Sequence, residues 1–350
     1  MVLHIGLMVL GTAGLWLAGD KLVDFAAALA ERARLSPAVI GLTVVAAGTS
    51  FPELFVSVAA AWDGSPDIAV GNVVGSNISN LTLVLGAVAL AWPVPIAPAI
   101  LRLEYPVMML SGALVLVLSR DGLLDRVEAA LLTAAMVAFI SYSVWLARRV
   151  LPPAERQELA EQVPPPAAGL ATRPLPALLL GLLVTLVALS VSASALVNGA
   201  IHTARMLGIT ERVIGLTVVA VGTSLPELAA SLLAARRGHH EMAVANVVGS
   251  NVFNTLMILG VAGLVTPIPV AAALSGVDMW IMLATGGLLG LLTFHRQRVS
   301  RPAGALLVTF FAVYCGWLLL GGTPAEGGEL PRRPNQHVPG KVAEMAHRRG

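Results

Sequence analysis

The sequence predicts an all-α integral membrane protein of about ten transmembrane helices, arranged as two five-helix repeats of inverted topology. Three observations carry that expectation. The 350 residues are 57% hydrophobic and only 12% charged, with a mean hydropathy of +0.82, far from the balance of a water-soluble domain. Apolar runs of roughly 17 to 25 residues, enough to cross a hydrocarbon core as helix, recur along the chain. One polar motif, placed where lipid should forbid it, occurs twice.

The spans centre near residues 15, 50, 80, 110, 137, 190, 224, 253, 284 and 311. No run shows the short alternating strands of a membrane barrel. Met1 to Gly19 is apolar but lacks a basic leader and continues through Asp20, Lys21 and Asp24, so it is expected to be a retained helix and not a cleaved signal. Those three charges fall roughly 30 Å along the helix, where snorkelling to the interface accounts for them. Ser36 suits the N-cap of the next span, and Thr210 is its counterpart in the second half.

The second and third spans hold GLTVVAAGTSFPELFVSVAAAWDGSPDIAVGNVVGSNISNLTLVLG from Gly41. From Gly215 the chain reads GLTVVAVGTSLPELAASLLAARRGHHEMAVANVVGSNVFNTLMILG, and roughly 27 of about 46 positions agree without a gap. The chain therefore divides into a first repeat over 1–150, a short linker over 151–176 rich in Pro, Ala and Glu, a second repeat over 177–321, and a tail over 322–350 with a disordered composition. His239, His240 and Glu241 fall between spans and read as a solvated turn. Cys315 is the only cysteine, which excludes a disulfide framework.

Five spans per repeat force the second copy to enter from the opposite side. Arginine placement agrees: Arg32, Arg34, Arg102, Arg236, Arg237, Arg298 and Arg301 fall on one side with others, against Arg120, Arg126, Arg205 and Arg212. By the positive-inside rule both termini lie outside, in a cell (inner) membrane, with the linker cytoplasmic. Inverted repeats that meet near the midplane are a secondary-transporter architecture.

The motif carries the chemistry. A glutamate at the centre of a lipid-embedded helix costs a few kcal/mol, and an interior proline about 3. Both expenses are incurred twice. Pro52 and Pro226 lack the N–H that would reach Gly48 and Gly222, so each span should break and turn carbonyls near Ala46, Gly48, Ala220 and Gly222 into a cavity. Thr49 and Glu53 share a face, as do Thr223 and Glu227. Ser50 and Ser224 stand beside them. In the following helices Ser76 and Asn80, and Ser250 and Asn254, repeat the four-residue spacing. Asn72, Asn77, Asn246 and Asn251 divide evenly between ligation and interhelical bonding, while Gly75 and Gly249 suit close packing.

All these candidates are hard oxygen donors, which suits Ca²⁺ and, with fewer carboxylates, Na⁺, and disfavours Zn²⁺ or copper. Two buried carboxylates are neutralised by one Ca²⁺ or by two Na⁺. Holding both kinds at once leaves a large positive charge in a low dielectric, so occupancy should be competitive, and competition at an alternately exposed site is antiport.

At these residues the sequence resembles the cation/calcium antiporter superfamily, specifically the prokaryotic sodium/calcium exchangers. The paired GTS-x-PE and GSN-x-x-N blocks are similar to that family's two alpha-repeats. The resemblance implies that the second, third, seventh and eighth spans form the ion-binding core, across which the first and sixth slide. It also implies that Glu53, Glu227, Thr49, Thr223 and the carbonyls of Ala46 and Ala220 hold Ca²⁺, with Ser50, Ser76, Ser224 and Ser250 serving Na⁺. Asn254 departs from relatives that carry Asp there, which leaves open Ca²⁺/H⁺ or K⁺-dependent exchange. The linker is too short for a regulatory ion-sensing domain.

The expected partners are Ca²⁺, Na⁺ and the lipid bilayer, with no cofactor, nucleic acid or obligate protein partner. No Ser–His pair, intramembrane Asp pair or HExxH helix supports an intramembrane protease, so the chain is not expected to be an enzyme. A channel would repeat its pore element about the membrane normal, unlike an inverted pair.

Overall fold

The computed structural model describes residues 1–149, 167, 169–208, 220–271, 274–294 and 297–320. The first half runs α1 (Val2–Ala33), α2 (Pro37–Thr49), α3 (Phe51–Trp62), α4 (Pro66–Ala91), β1 (Val94–Pro95), α5 (Ile100–Asp121), β2 (Leu123–Leu124) and α6 (Arg126–Arg149). The second runs α7 (Leu175–Met206), α8 (Ala220–Thr223), α9 (Leu225–Arg236), α10 (His240–Val265), β3 (Ile268–Pro269), α11 (Gly276–Thr293), β4 (Arg298–Val299) and α12 (Arg301–Leu319). Among the described residues eight helices are long and apolar enough to cross a membrane, and nine when the bent pair α2 and α3 counts as one span. The pair's second-half counterpart is described only from Ala220. Thr210 lies outside the described residues, as do the tail and most of the linker.

Burial separates the centre from the rim. The apolar windows of α4 and α10 are 78% and 83% buried, against 22% for both α1 and α7. The two motif helices therefore form the middle, and the two 32-residue helices lie across their outside. At roughly 1.5 Å per residue those outer helices reach about 48 Å, longer than the hydrocarbon core, so they cross it tilted. They pack against each other closely: a Cβ on Gly11 would meet Leu196 N at 2.6 Å.

Two small ribbons record the inversion. β1 pairs antiparallel with β4, and β2 with β3. In the repeat β1 corresponds to β3 and β2 to β4, so the operation that exchanges the halves also exchanges the ribbons. Each ribbon joins both repeats at one membrane face, an arrangement that only odd, opposed repeats permit. Hairpin signals are absent because the partners are distant in the chain.

The motif span breaks as expected, two residues before the proline. The helix stops at Ser50 (φ −86°, ψ 8°) and resumes at Phe51, with a 45° bend. Ser224 repeats the geometry at φ −84°, ψ 4°. Ser36 caps α2, accepting from the Val39 N–H at 3.4 Å. Unforeseen π-helical turns occupy Gly41–Val45, Asn80–Val84, Ile100–Glu104, Phe253–Ile258 and Leu274–Asp278. The motif asparagines 80 and 254 fall in two of them, in keeping with the tendency of π-turns to mark functional positions.

Gly249 packs as expected, for a Cβ there would stand 2.6 Å from Leu42 O and 2.9 Å from Ala46 Cβ. At Gly75 no described atom comes within 4 Å of a Cβ, so close packing is not its role among the described residues. Gly249→Ala should cost about 1 to 3 kcal/mol by overpacking against rigid backbone. Thermal unfolding in detergent measures the loss, and an unshifted midpoint contradicts it.

Lys21 is exposed, as snorkelling implies, but the two aspartates of α1 are held by an ion pair. Arg237, just past α9, donates from Nε to Asp20 Oδ1 at 2.7 Å, from Nη2 to Asp20 Oδ2 at 2.5 Å, and from Nη1 to Asp24 Oδ1. Asp24 is 3% exposed, beneath the outer helix. A positively charged partner from the other repeat, invisible in local sequence, removes the need to reach water. His239 is likewise buried, where burial and the Arg237 charge hold its imidazole below the ordinary value. His239 is thus packed, while His240 and Glu241 are half-buried and Gly238 is exposed.

Candidate ion-binding site

Glu53 and Glu227 stand in the first turns of α3 and α9, immediately after the two breaks. Each carboxylate thus sits at the positive end of its own helix dipole, where negative charge is favoured. The side chains are 1% and 0% exposed. Ser50 Oγ donates to Glu227 Oε1 at 3.0 Å, joining the repeats across the centre. Glu53 and Glu227 also lie within electrostatic reach of each other. Neither has a positively charged side chain paired with it among the described residues.

Within each repeat an asparagine ties the two motif helices together. Asn72 Nδ2 donates to Ser57 Oγ at 2.9 Å and to Glu53 O at 3.2 Å. Asn246 Nδ2 makes the matching bond to Ser231 Oγ at 2.9 Å, while Thr49 Oγ1 lies 3.4 Å from Asn246 Oδ1. The Nδ2 groups of Asn72 and Asn246 thus make interhelical bonds. Ser57 and Ser231 were missed, although both stand four residues after the motif glutamate in each copy. Asn77 and Asn251 reach across instead: Asn254 Nδ2 donates to Asn77 Oδ1 at 3.0 Å and Asn251 Nδ2 to Asn77 O at 3.2 Å.

The remaining described candidates are buried or half-buried on the motif helices. Ser76 and Ser250 are 3% and 0% exposed on α4 and α10, and Asn80 and Asn254 are each 1% exposed. Thr223 is half-buried at the end of α8. Ala46 O accepts the Ser50 N–H at 3.1 Å and lies 3.4 Å from Thr49 Oγ1. The break consequently does not strip this carbonyl of partners; it retains helical bonding with lone-pair capacity left over. Ala220 opens α8, and its side chain is outside the described residues.

Unpartnered oxygen is the centre's chief chemical feature. Glu53 Oε2, Glu227 Oε2, Asn80 Oδ1, Asn254 Oδ1, Ser224 Oγ and Ser250 Oγ are all buried without a hydrogen-bond partner among the described residues. Buried polar atoms are normally bonded, and six unpartnered ones, with Glu53 and Glu227 and also Asn80 and Asn254 at matched positions of the two repeats, signal a ligand. The donor set is carboxylate, amide and hydroxyl; no cluster of three His, Cys, Asp or Glu occurs among the described residues. Such oxygens fit a dehydrated hard cation.

Comparison with known proteins agrees with this chemistry. The family described as "Sodium/calcium exchanger protein" matches residues 3–145 and 177–320. The putative antiporter CaxA of Alkalimonas amylolytica is 38% identical over 300 residues, covering 84% of this chain and 92% of that protein. Sodium/calcium exchanger MaX1 of Methanosarcina acetivorans is 31% identical over 344 residues, covering 88% and 96%. Among solved structures, the sodium-calcium exchanger NCX_Mj soaked with 2.5 mM Na⁺ and 0.1 mM Ca²⁺ superimposes with a TM-score of 0.75 at 29% identity, covering 91% of this chain and 99% of that one.

Proposed function

We propose Na⁺-driven Ca²⁺ exchange on one premise: this chain belongs to the sodium/calcium exchanger family. It is a multi-pass membrane antiporter of Ca²⁺ and another cation, and not an enzyme. In the proposed mechanism the second cation is Na⁺ and one central cage, alternately open to either side, serves both ions. Glu53 and Glu227 supply the charge, with Thr49, Thr223 and the carbonyls of Ala46 and Ala220 completing a Ca²⁺ site. Ser50, Ser224, Ser76 and Ser250 take part in Na⁺ sites, and Asn80 and Asn254 present neutral amide oxygen. The repeats over 1–150 and 177–321 each contribute half, and both termini lie outside an inner membrane.

The observation that carries this reading is the pair of fully buried glutamates, one from each repeat, each with an oxygen unpartnered among the described residues. Two negative charges in a low dielectric are costly until a cation arrives, and one Ca²⁺ or two Na⁺ restores neutrality. Both together overshoot it, so the ions displace each other.

Purified protein in vesicles provides the test. Ca²⁺ uptake should follow an outward Na⁺ gradient and persist when the pH gradient is collapsed. Uptake that ignores Na⁺ and tracks protons replaces this reading with Ca²⁺/H⁺ exchange, and an absolute need for K⁺ replaces it with K⁺-dependent exchange.

A further inference from the structure

We infer that Asn77 is a positioning residue for cation binding: it turns the Asn254 amide so that its carbonyl oxygen, and not its NH₂, faces the cage. The inference deepens the exchange reading above and rests on it.

The argument begins at a thioether. Met282 Sδ has no hydrogen to donate and accepts weakly, so an amide NH₂ is favoured beside it over an amide oxygen. Asn77 Nδ2 does so at 3.4 Å. That contact decides which way the Asn77 amide is turned and directs its Oδ1 elsewhere. There it accepts from Asn254 Nδ2 at 3.0 Å. Turning Asn254 alone would set two amide oxygens against each other at that separation. Turning both amides would press Asn77 Oδ1 against the sulfur. One arrangement therefore satisfies all three groups. In it Asn254 Nδ2 is engaged, and Asn254 Oδ1 is buried without a partner among the described residues. Asn251 Nδ2 donates to the backbone carbonyl of Asn77 at 3.2 Å, which leaves the side-chain amide to the sulfur and to Asn254.

The repeat provides an internal comparison. Asn251 corresponds to Asn77, Asn80 to Asn254, and Met108 to Met282. Asn251 Nδ2 also approaches a sulfur, Met108 Sδ, at 3.7 Å. The next link is missing, because Asn251 Oδ1 has no partner among the described residues and so does not fix Asn80. Two equivalent amides are thus unequally prepared. A fixed amide presents oxygen to every arriving cation, whereas a free one must first turn its NH₂ away.

Calorimetric titration of the purified full chain with Ca²⁺ alone tests this, alongside vesicle exchange. Asn77→Leu is expected to weaken Ca²⁺ binding roughly fivefold or more, the scale of one net hydrogen bond. KM for Ca²⁺ should rise by the same factor with kcat changed less than about twofold, the pattern of lost binding. Asn77→Asp still accepts from Asn254 and should bind Ca²⁺ at least as well as the wild type. Because Asn77 acts through Asn254, Asn77→Leu combined with Asn254→Ala should bind no worse than Asn254→Ala alone. Additive losses in that pair, wild-type affinity in Asn77→Leu, or an equal loss in Asn77→Asp would overturn the inference. A wild type that binds no Ca²⁺ would instead sink the exchange reading.

Discussion

Glu53→Gln and Glu227→Gln are each expected to abolish exchange while leaving the ion-free protein more stable than the wild type. The two effects have one cause. A unit of carboxylate charge about 4 Å from a cation contributes roughly 4 kcal/mol per unit of cation charge at an effective dielectric of about 20, near a thousandfold in affinity. Glutamine keeps the shape and an acceptor oxygen, so the bond from Ser50 Oγ to position 227 can persist. What it removes is a charge buried at 0 to 1% exposure with no cationic side chain opposite among the described residues. Without Ca²⁺ that charge is a pure cost, and relieving it should raise ion-free stability by about 1 kcal/mol or more. Wild-type stability should also climb with Ca²⁺, by about 2.7 kcal/mol at a hundredfold excess over Kd, whereas both variants should stay flat. Thermal unfolding with and without Ca²⁺ reads both halves. A variant that unfolds earlier than the wild type in chelator, or that still responds to Ca²⁺, contradicts the cage.

The same residues show how far the sequence alone reaches. Glu53, Glu227 and the serine at each break were legible because placing them in lipid is costly and the expense is repeated. The two-half architecture was legible because an odd repeat has only one way to cross a membrane. What stayed hidden depends on partners far away in the chain. Ser50 meets Glu227, Asn254 meets Asn77, and Arg237 meets Asp20 and Asp24, all across the repeat boundary. Local spacing encodes none of these. The π-turns at Asn80 and Phe253 were equally silent, since one extra residue in a turn changes which face an asparagine occupies without changing composition. Ser57 and Ser231 differ, because their identity in both copies was a usable signal.

Arg237→Gln is the second change of large expected effect, and its size follows from unequal burial. Asp24 is 3% exposed while Asp20 is 28% and Arg237 31% exposed. Removing the guanidinium strands one buried carboxylate and one that can reach water. Breaking a buried pair costs about 3 to 5 kcal/mol, and the partial exposure of Arg237 lowers the expectation to about 2 to 3. Lys21 Nζ, 3.4 Å from Asp24 Oδ2, compensates little, being 62% exposed and open to screening by salt. Asp20→Asn should accordingly cost less than about 1 kcal/mol. Adding Asp24→Asn to Arg237→Gln removes the stranded charge, so the double variant should recover about 1 kcal/mol or more relative to Arg237→Gln alone. The repeat counterparts of Asp20, Asp24 and Arg237 are Ser194, Asn198 and Asp63, which build no such cluster on the opposite face. Asn198→Ala should therefore shift unfolding far less than any change at Arg237. Equal penalties at Asp20 and Arg237, or strictly additive losses in the double variant, would show that packing and not the buried charge holds α1 against the end of α9.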